Sequence, residues 1–126
     1  MKTLSLIFLI CLVTSCHNSP GSQYVLPPMR TATDDLQVYD GKWHKHLLDN
    51  GLTITCSVVN KSDTINYKDV KLEVKYYSKT HTVMTASNYV VYKYLNSGQL
   101  IKVNLKGINY QDLDNLSVNV VDATRY

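Results

Sequence analysis

Cysteine, proline, glycine and phenylalanine are scarce in this chain, and each scarcity removes possibilities. Of three cysteines in 126 residues, Cys11 falls in an apolar N-terminal run, which leaves Cys16 and Cys56, too few for a disulfide framework. All three prolines (Pro20, Pro27 and Pro28) lie early in the chain, so none interrupts the strand-like sequence that follows. The five glycines form no phosphate-cradling loop. No CxxC pair, HExxH or GxSxG occurs. The single glutamate, Glu73, stands between Lys71 and Lys75 on a polar strand face. The formal charge is only +3, with acids and bases interspersed and no basic block, which argues against nucleic acid as a partner. Composition and motifs thus give no signature of a cofactor, a metal site or a catalytic constellation.

What the chain does have is tyrosine, threonine and valine in alternating patterns. Ten tyrosines stand against one tryptophan (Trp43) and one phenylalanine (Phe8). In residues 52–59, Leu52, Ile54, Cys56 and Val58 alternate with polar neighbours, and in residues 70–77, Val70, Leu72, Val74 and Tyr76 do the same. Successive strand side chains point to opposite faces, so each run carries one apolar face. Cys56 shares its face with Leu52, Ile54 and Val58, which marks it as a small buried hydrophobe rather than a nucleophile. Between the two runs, residues 60–69 are rich in Asn, Asp, Ser and Lys. They are too many for a tight hairpin and fit a crossing from one sheet to another.

Further strands are expected at residues 36–39, 83–86, 89–95, 100–106 and 116–120. Turns are marked by Asp40-Gly41, Asn50-Gly51, residues 78–82 and residues 96–98, and a polar loop by residues 107–115. Residues 43–48 are ambiguous between a strand and a helical turn. In residues 89–95, Lys93 on one face makes Val90, Tyr92 and Tyr94 the expected buried set. About seven short strands with regularly spaced turns predict an all-β, immunoglobulin-like antiparallel β-sandwich over residues 36–126.

The N-terminus reads as a targeting segment. Lys2 supplies a short positive region, and residues 4–13 an apolar one, too short for the roughly 20 residues that span a bilayer. Val13-Thr14-Ser15-Cys16 resembles the lipobox of bacterial lipoproteins: an aliphatic residue, two small ones and a cysteine. The resemblance implies that residues 1–15 are a signal peptide and that Cys16 carries a thioether-linked diacylglycerol. Cys56 would then be the one free thiol. Residues 16–35, with the prolines and Gly21-Ser22, read as a lipidated cysteine followed by a flexible tether. By analogy with such lipoproteins, His17 is not the aspartate that retains many of them at the inner membrane. No acidic run of the kind that marks surface export in Bacteroidetes lipoproteins follows Cys16. The expectation is a lipid-anchored envelope protein of the Bacteroidetes type, on an outer membrane and facing the periplasm.

Residues 58–60 (VVN), 67–80 (YKDVKLEVKYYSKT), 91–95 (VYKYL) and Gly98 resemble the FxLYD-type domains, small immunoglobulin-like sandwiches of bacterial secreted proteins and lipoproteins. The likeness covers about residues 51–121. Two positions depart from that pattern: His81 stands where the turn usually has Gly, and Ser97-Gly98 stands for the usual Pro-Gly. The family has no established catalytic residues, so the resemblance implies none. It implies that His81 takes a positive φ.

Two functions fit. One is a non-catalytic, lipid-anchored interaction or accessory domain that docks a protein partner in the envelope by a sheet face or edge. The other is a carbohydrate- or small-ligand-binding lipoprotein with Trp43, Tyr77 and Tyr89 as stacking surface. His44 and His46 would share a strand face, but a metal needs at least one more ligand, and two exposed imidazoles beside Trp43 explain them better. Asp112, Asp114 and Asn115 resemble part of a calcium loop without its Gly and distal Glu, and turn chemistry accounts for them.

Overall fold

The computed structural model describes residues 30–126. The expected signal peptide, Cys16 and most of the expected tether lie outside the described residues. Six strands follow a single helical turn, α1 (Ala32–Asp35): β1 (Leu36–Lys45), β2 (Gly51–Asn60), β3 (Tyr67–Ser78), β4 (Val83–Leu95), β5 (Leu100–Ile108) and β6 (Leu113–Arg125). They form two three-stranded antiparallel sheets, β1-β2-β5 and β4-β3-β6. The chain is an all-β antiparallel sandwich, as the alternation predicts. Six strands replace the expected seven because residues 83–86 and 89–95 belong to one continuous strand, β4.

The core lies where the two sheets face each other. From β2 come Leu52, Ile54, Cys56 and Val58, and from β3 Val70, Leu72, Val74 and Tyr76, all buried. Ile101, Val103 and Leu105 of β5 complete the first sheet's inner face. Leu116, Val118 and Val120 of β6 pack against the core partly buried. The arch between β2 and β3 crosses from one sheet to the other, as expected, and it is not merely a solvated loop. Asn60 is fully buried; its amide donates to the carbonyls of Ile65 (2.7 Å) and Leu95 (3.1 Å), and its oxygen accepts from Ser62 N–H (3.0 Å). A buried polar side chain is tolerable only when satisfied in this way.

Four local expectations need correction. First, Val90, Tyr92 and Tyr94 are exposed, while Val91 and Leu95 are buried and Tyr89 is half-buried. Lys93 misled because β4 is not regular where it lies. Tyr94 pairs with Lys68 and Val91 with Val70, so β4 carries an extra residue there, opposite Asp69 at φ 51°. A bulge of this kind re-aims side chains, and it leaves Lys93 exposed although it alternates with Val91 and Leu95.

Second, Asp40-Gly41 is not a turn between elements but a bulge within β1, with Asp40 at φ 53°. Third, β5 extends to Ile108 and β6 begins at a buried Leu113, so the polar loop shrinks to residues 109–112. Fourth, the segment expected as a tether to residue 35 cannot run that far: Ala32 and Asp35 are buried against the sandwich. His81, by contrast, has φ 61°, as the family resemblance implies.

Candidate functional site

The two ends of the sandwich differ in chemistry. At one end the chain joins the domain. Arg125 Nη2 donates to the Arg30 carbonyl, and Lys61 N–H donates to the Asp35 carbonyl at 2.8 Å. Asp35 is fully buried; its Oδ2 accepts from Tyr67 OH at 2.6 Å, and Arg30 Nε lies 3.3 Å from Oδ1. Burial and the Asp35 carboxylate push the Tyr67 hydroxyl pKa up.

The outer face of the second sheet is apolar towards this same end. Tyr92 is 80% and Tyr94 63% exposed, with Val90, Val121 and Tyr126 exposed beside them. The Tyr94 and Tyr126 rings meet edge to face with centroids 5.0 Å apart, so these aromatics hold each other in place. This face escaped sequence reasoning because residues 89–95 are apolar on both faces. Which face is inward follows from the pairing of Tyr89 and Val91 with the buried Leu72 and Val70, and the bulge opposite Asp69 lets Lys93 stay exposed.

At the opposite end, residues 46–50 connect β1 to β2. Leu47 and Leu48 are fully exposed at its tip. The connection is nonetheless tightly closed. His46 N–H donates to the Gly51 carbonyl (3.0 Å), Gly51 N–H to Asp49 Oδ1 (2.8 Å) and Asn109 N–H to the Asn50 carbonyl (2.7 Å). The His46 ring bridges Asp49 Oδ1 (2.9 Å) and Thr53 Oγ1 (2.7 Å). A Cβ on Gly51 would come within 2.8 Å of Asp49 Oδ1 and 2.9 Å of His46 Nδ1, so glycine is what lets this closure form. The Gly51 N–H and the His46 ring hold the Asp49 carboxyl below the usual carboxylate range. Hydroxyl, imidazole and carboxylate stand in the order of a nucleophile–base–orienter row. Here they lock a hairpin turn, with Thr53 on the outer face of the first sheet opposite His44 and Lys106.

The three aromatics singled out from the sequence do not share a surface. Trp43 is half-buried on β1 and lines a hollow of about 230 Å³ with Val38, Leu116 and Val118, between the β1 and β6 edges. Tyr77 lies on the outer face of the second sheet, its hydroxyl 3.4 Å from Ser117 Oγ. Tyr89 points between the sheets, where its hydroxyl donates to the Lys106 carbonyl at 2.9 Å and lies 3.5 Å from Tyr76 OH. A second hollow, polar and open, lies over the outer face of the first sheet and is lined by Asp40, Lys42, Thr55, Ser57, Lys102 and Asn104 among others.

Cys56 is buried and burial raises its thiol pKa. The His44 and His46 rings lie 6.0 Å apart, and among the described residues no three His, Cys, Asp or Glu side chains gather as a metal site. No helix among the described residues is long and apolar enough to cross a membrane.

No family model matches the chain, so the FxLYD-type likeness rests on strand pattern alone. No curated protein matches it either. Among solved structures, it is similar to the Salmonella enterica trimeric lipoprotein SadB, with 14% identity and a TM-score of 0.48 over 68% of this chain. The match spans about half of that protein, 49% of its length.

Proposed function

We propose that this chain is a lipid-anchored lipoprotein of the cell envelope, whose sandwich is a non-catalytic docking module of FxLYD-like type for a protein partner. The anchor part rests on residues 1–16, where a short apolar run ends in Val13-Thr14-Ser15-Cys16. The docking part is carried by one observation: Leu47 and Leu48 are held fully exposed on a turn closed by hydrogen bonds, at the end of the sandwich away from the tether. Two exposed leucines on a preorganised tip are suited to an apolar cleft, since each would gain about 1.5–3 kcal/mol on full burial with little ordering cost. The partner is a protein that meets the tip from the side away from the membrane. An outer-membrane position facing the periplasm completes the reading. The carbohydrate-binding alternative has less support, because Trp43, Tyr77 and Tyr89 present no common stacking platform.

Two measurements test this. Membrane fractionation of the wild type and Cys16→Ala reads the anchor: the variant should lose lipid labelling and its detergent-phase partition. A photo-crosslinking residue at position 47, used in native membranes, should capture one protein, and Leu48→Ser should abolish the capture. Unchanged lipid labelling of Cys16→Ala would end the anchor reading. Capture indifferent to Leu48→Ser would end the docking reading.

A further inference from the structure

The outer face of the second sheet exposes Val90, Tyr92 and Tyr94 from β4, Val121 from β6, and Tyr126, whose ring meets that of Tyr94; Lys71 of β3, paired with Asp122, stands between Val90 and Val121. Monomeric domains rarely leave such patches without a use. Three features of the domain indicate what covers it. The patch lies at the end where the chain joins the domain: Tyr126 N–H donates to the Asn66 carbonyl, and Arg125 reaches the Arg30 carbonyl. Its apolar members are mainly tyrosines, whose amphipathic rings suit the boundary between hydrocarbon and water. Its surroundings carry a slight positive excess: Lys71, Lys93, Arg125 and Arg30 are exposed and Lys68 is half-exposed, against Asp69, Asp122 and, beside Arg30, Asp34 and the buried Asp35. Asp122 itself sits 4.0 Å from Lys71.

We propose that this tyrosine face rests on the headgroup layer of an anionic bilayer, the membrane to which the lipid on Cys16 would tie the chain. The proposal rests on the anchor reading above. Residues 16–30 span at most about 50 Å when extended, so the joining end of the sandwich stays within reach of the surface. Tethering raises the local concentration of the face at that surface, so a modest apolar contact suffices. Each basic side chain near an anionic surface adds attraction that salt screens. The leucine tip, at the other end, is then directed away from the membrane.

The test uses the full chain, processed in a bacterial host and reconstituted into vesicles of phosphatidylglycerol and phosphatidylethanolamine. Tyr92→Cys and, separately, Leu47→Cys carry a thiol-linked fluorophore; Cys56, being buried, stays unlabelled and so reports that each variant is folded. Vesicle flotation reads the anchor, and quenching by lipid with a nitroxide near its headgroup reads the contact. The expected result is that the label at 92 is quenched several-fold more than the label at 47. The excess should shrink with salt, in phosphatidylcholine vesicles and with Lys68→Glu plus Lys93→Glu.

A chain that floats with equal quenching at 92 and 47 overturns the proposal and leaves the anchor standing. A chain that does not float ends both. If the label at 92 is dark to lipid but position 92 crosslinks to a protein in native membranes, the face belongs to a protein partner and the lipid assignment fails.

Discussion

The hydroxyl of Tyr67 donates to the carboxylate of Asp35 across 2.6 Å, with both side chains fully buried. This contact joins the helical turn before β1 to the first residue of β3, so it fixes the joining end of the sandwich. Tyr67→Phe keeps the ring and removes the donor, leaving a buried carboxylate short of a partner. A loss of about 1–3 kcal/mol in denaturant-unfolding stability is expected. An unchanged midpoint would mean that water or Arg30 replaces the hydroxyl at no cost.

Asn60 provides a second test. Its amide donates to the carbonyls of Ile65 and Leu95. Asn60→Asp removes both donors and sets a carboxylate against two carbonyl oxygens, so the loss should exceed that of Tyr67→Phe, by about 2 kcal/mol or more. Thermal denaturation of both variants side by side reads the order. If Asn60→Asp is the milder one, the arch does not depend on these bonds.

Both residues show what could and could not be read from the sequence. Leu52, Ile54, Cys56 and Val58 alternate with polar neighbours, so their inward face was legible. So were those of β3 and β5, for the same reason. In β4 both faces are apolar, and Lys93 misled because it lies in a bulge opposite Asp69, a backbone feature with no side-chain signature in the pattern. Asn60 read as a loop residue because nothing local distinguishes a solvated asparagine from one that bonds to Leu95, 35 residues on. At the candidate surfaces the residue types were legible and their exposure was not. Tyr77 and Tyr89 look alike in sequence, yet one lies outside a sheet and the other between sheets.

Cys56 should be inert. It is 3% exposed, and burial raises its thiol pKa. A thiol reagent should leave it unlabelled in the native domain and label it in denaturant. Cys56→Ser should cost about 1–3 kcal/mol by placing a hydroxyl among Leu52, Ile54 and Val58. Rapid native labelling would contradict the register of β2.

His81 occupies φ 61° in the turn between β3 and β4, and its N–H donates to the Ser78 carbonyl at 2.9 Å. Glycine adopts that conformation without steric cost, although it is also freer in the unfolded chain. His81→Gly should therefore leave the melting temperature unchanged or slightly raised. A clear fall would assign the imidazole a contact of its own.

Alkali should weaken the fold through Tyr76. Burial, and then the hydrogen bond and charge of Tyr89, push its hydroxyl up to about 12 from 10.0. The folded state keeps this proton longer than the unfolded chain. The stabilisation is complete below about pH 10 and is lost as pH rises towards about 12. Tyr76→Phe should flatten that part of the pH–stability curve. A curve that keeps its full slope in the variant would place the alkaline weakness elsewhere, with Tyr67 the first candidate because its pKa is also raised.

β1 runs from the buried Leu36 beside α1 to Lys45 beside the leucine turn. It is thus one strand with Arg30 and α1 at its start, where the proposed tether would join, and the exposed tip at its end. If a partner holds Leu47 and Leu48 while the tether holds Arg30, any tension between them passes along this strand. The β1–β2 ladder then carries the load along its length, with its hydrogen bonds strained together rather than opened one by one. The extra residue at Asp40-Gly41 interrupts that ladder near its middle, which makes it the place where a stretched domain should yield first.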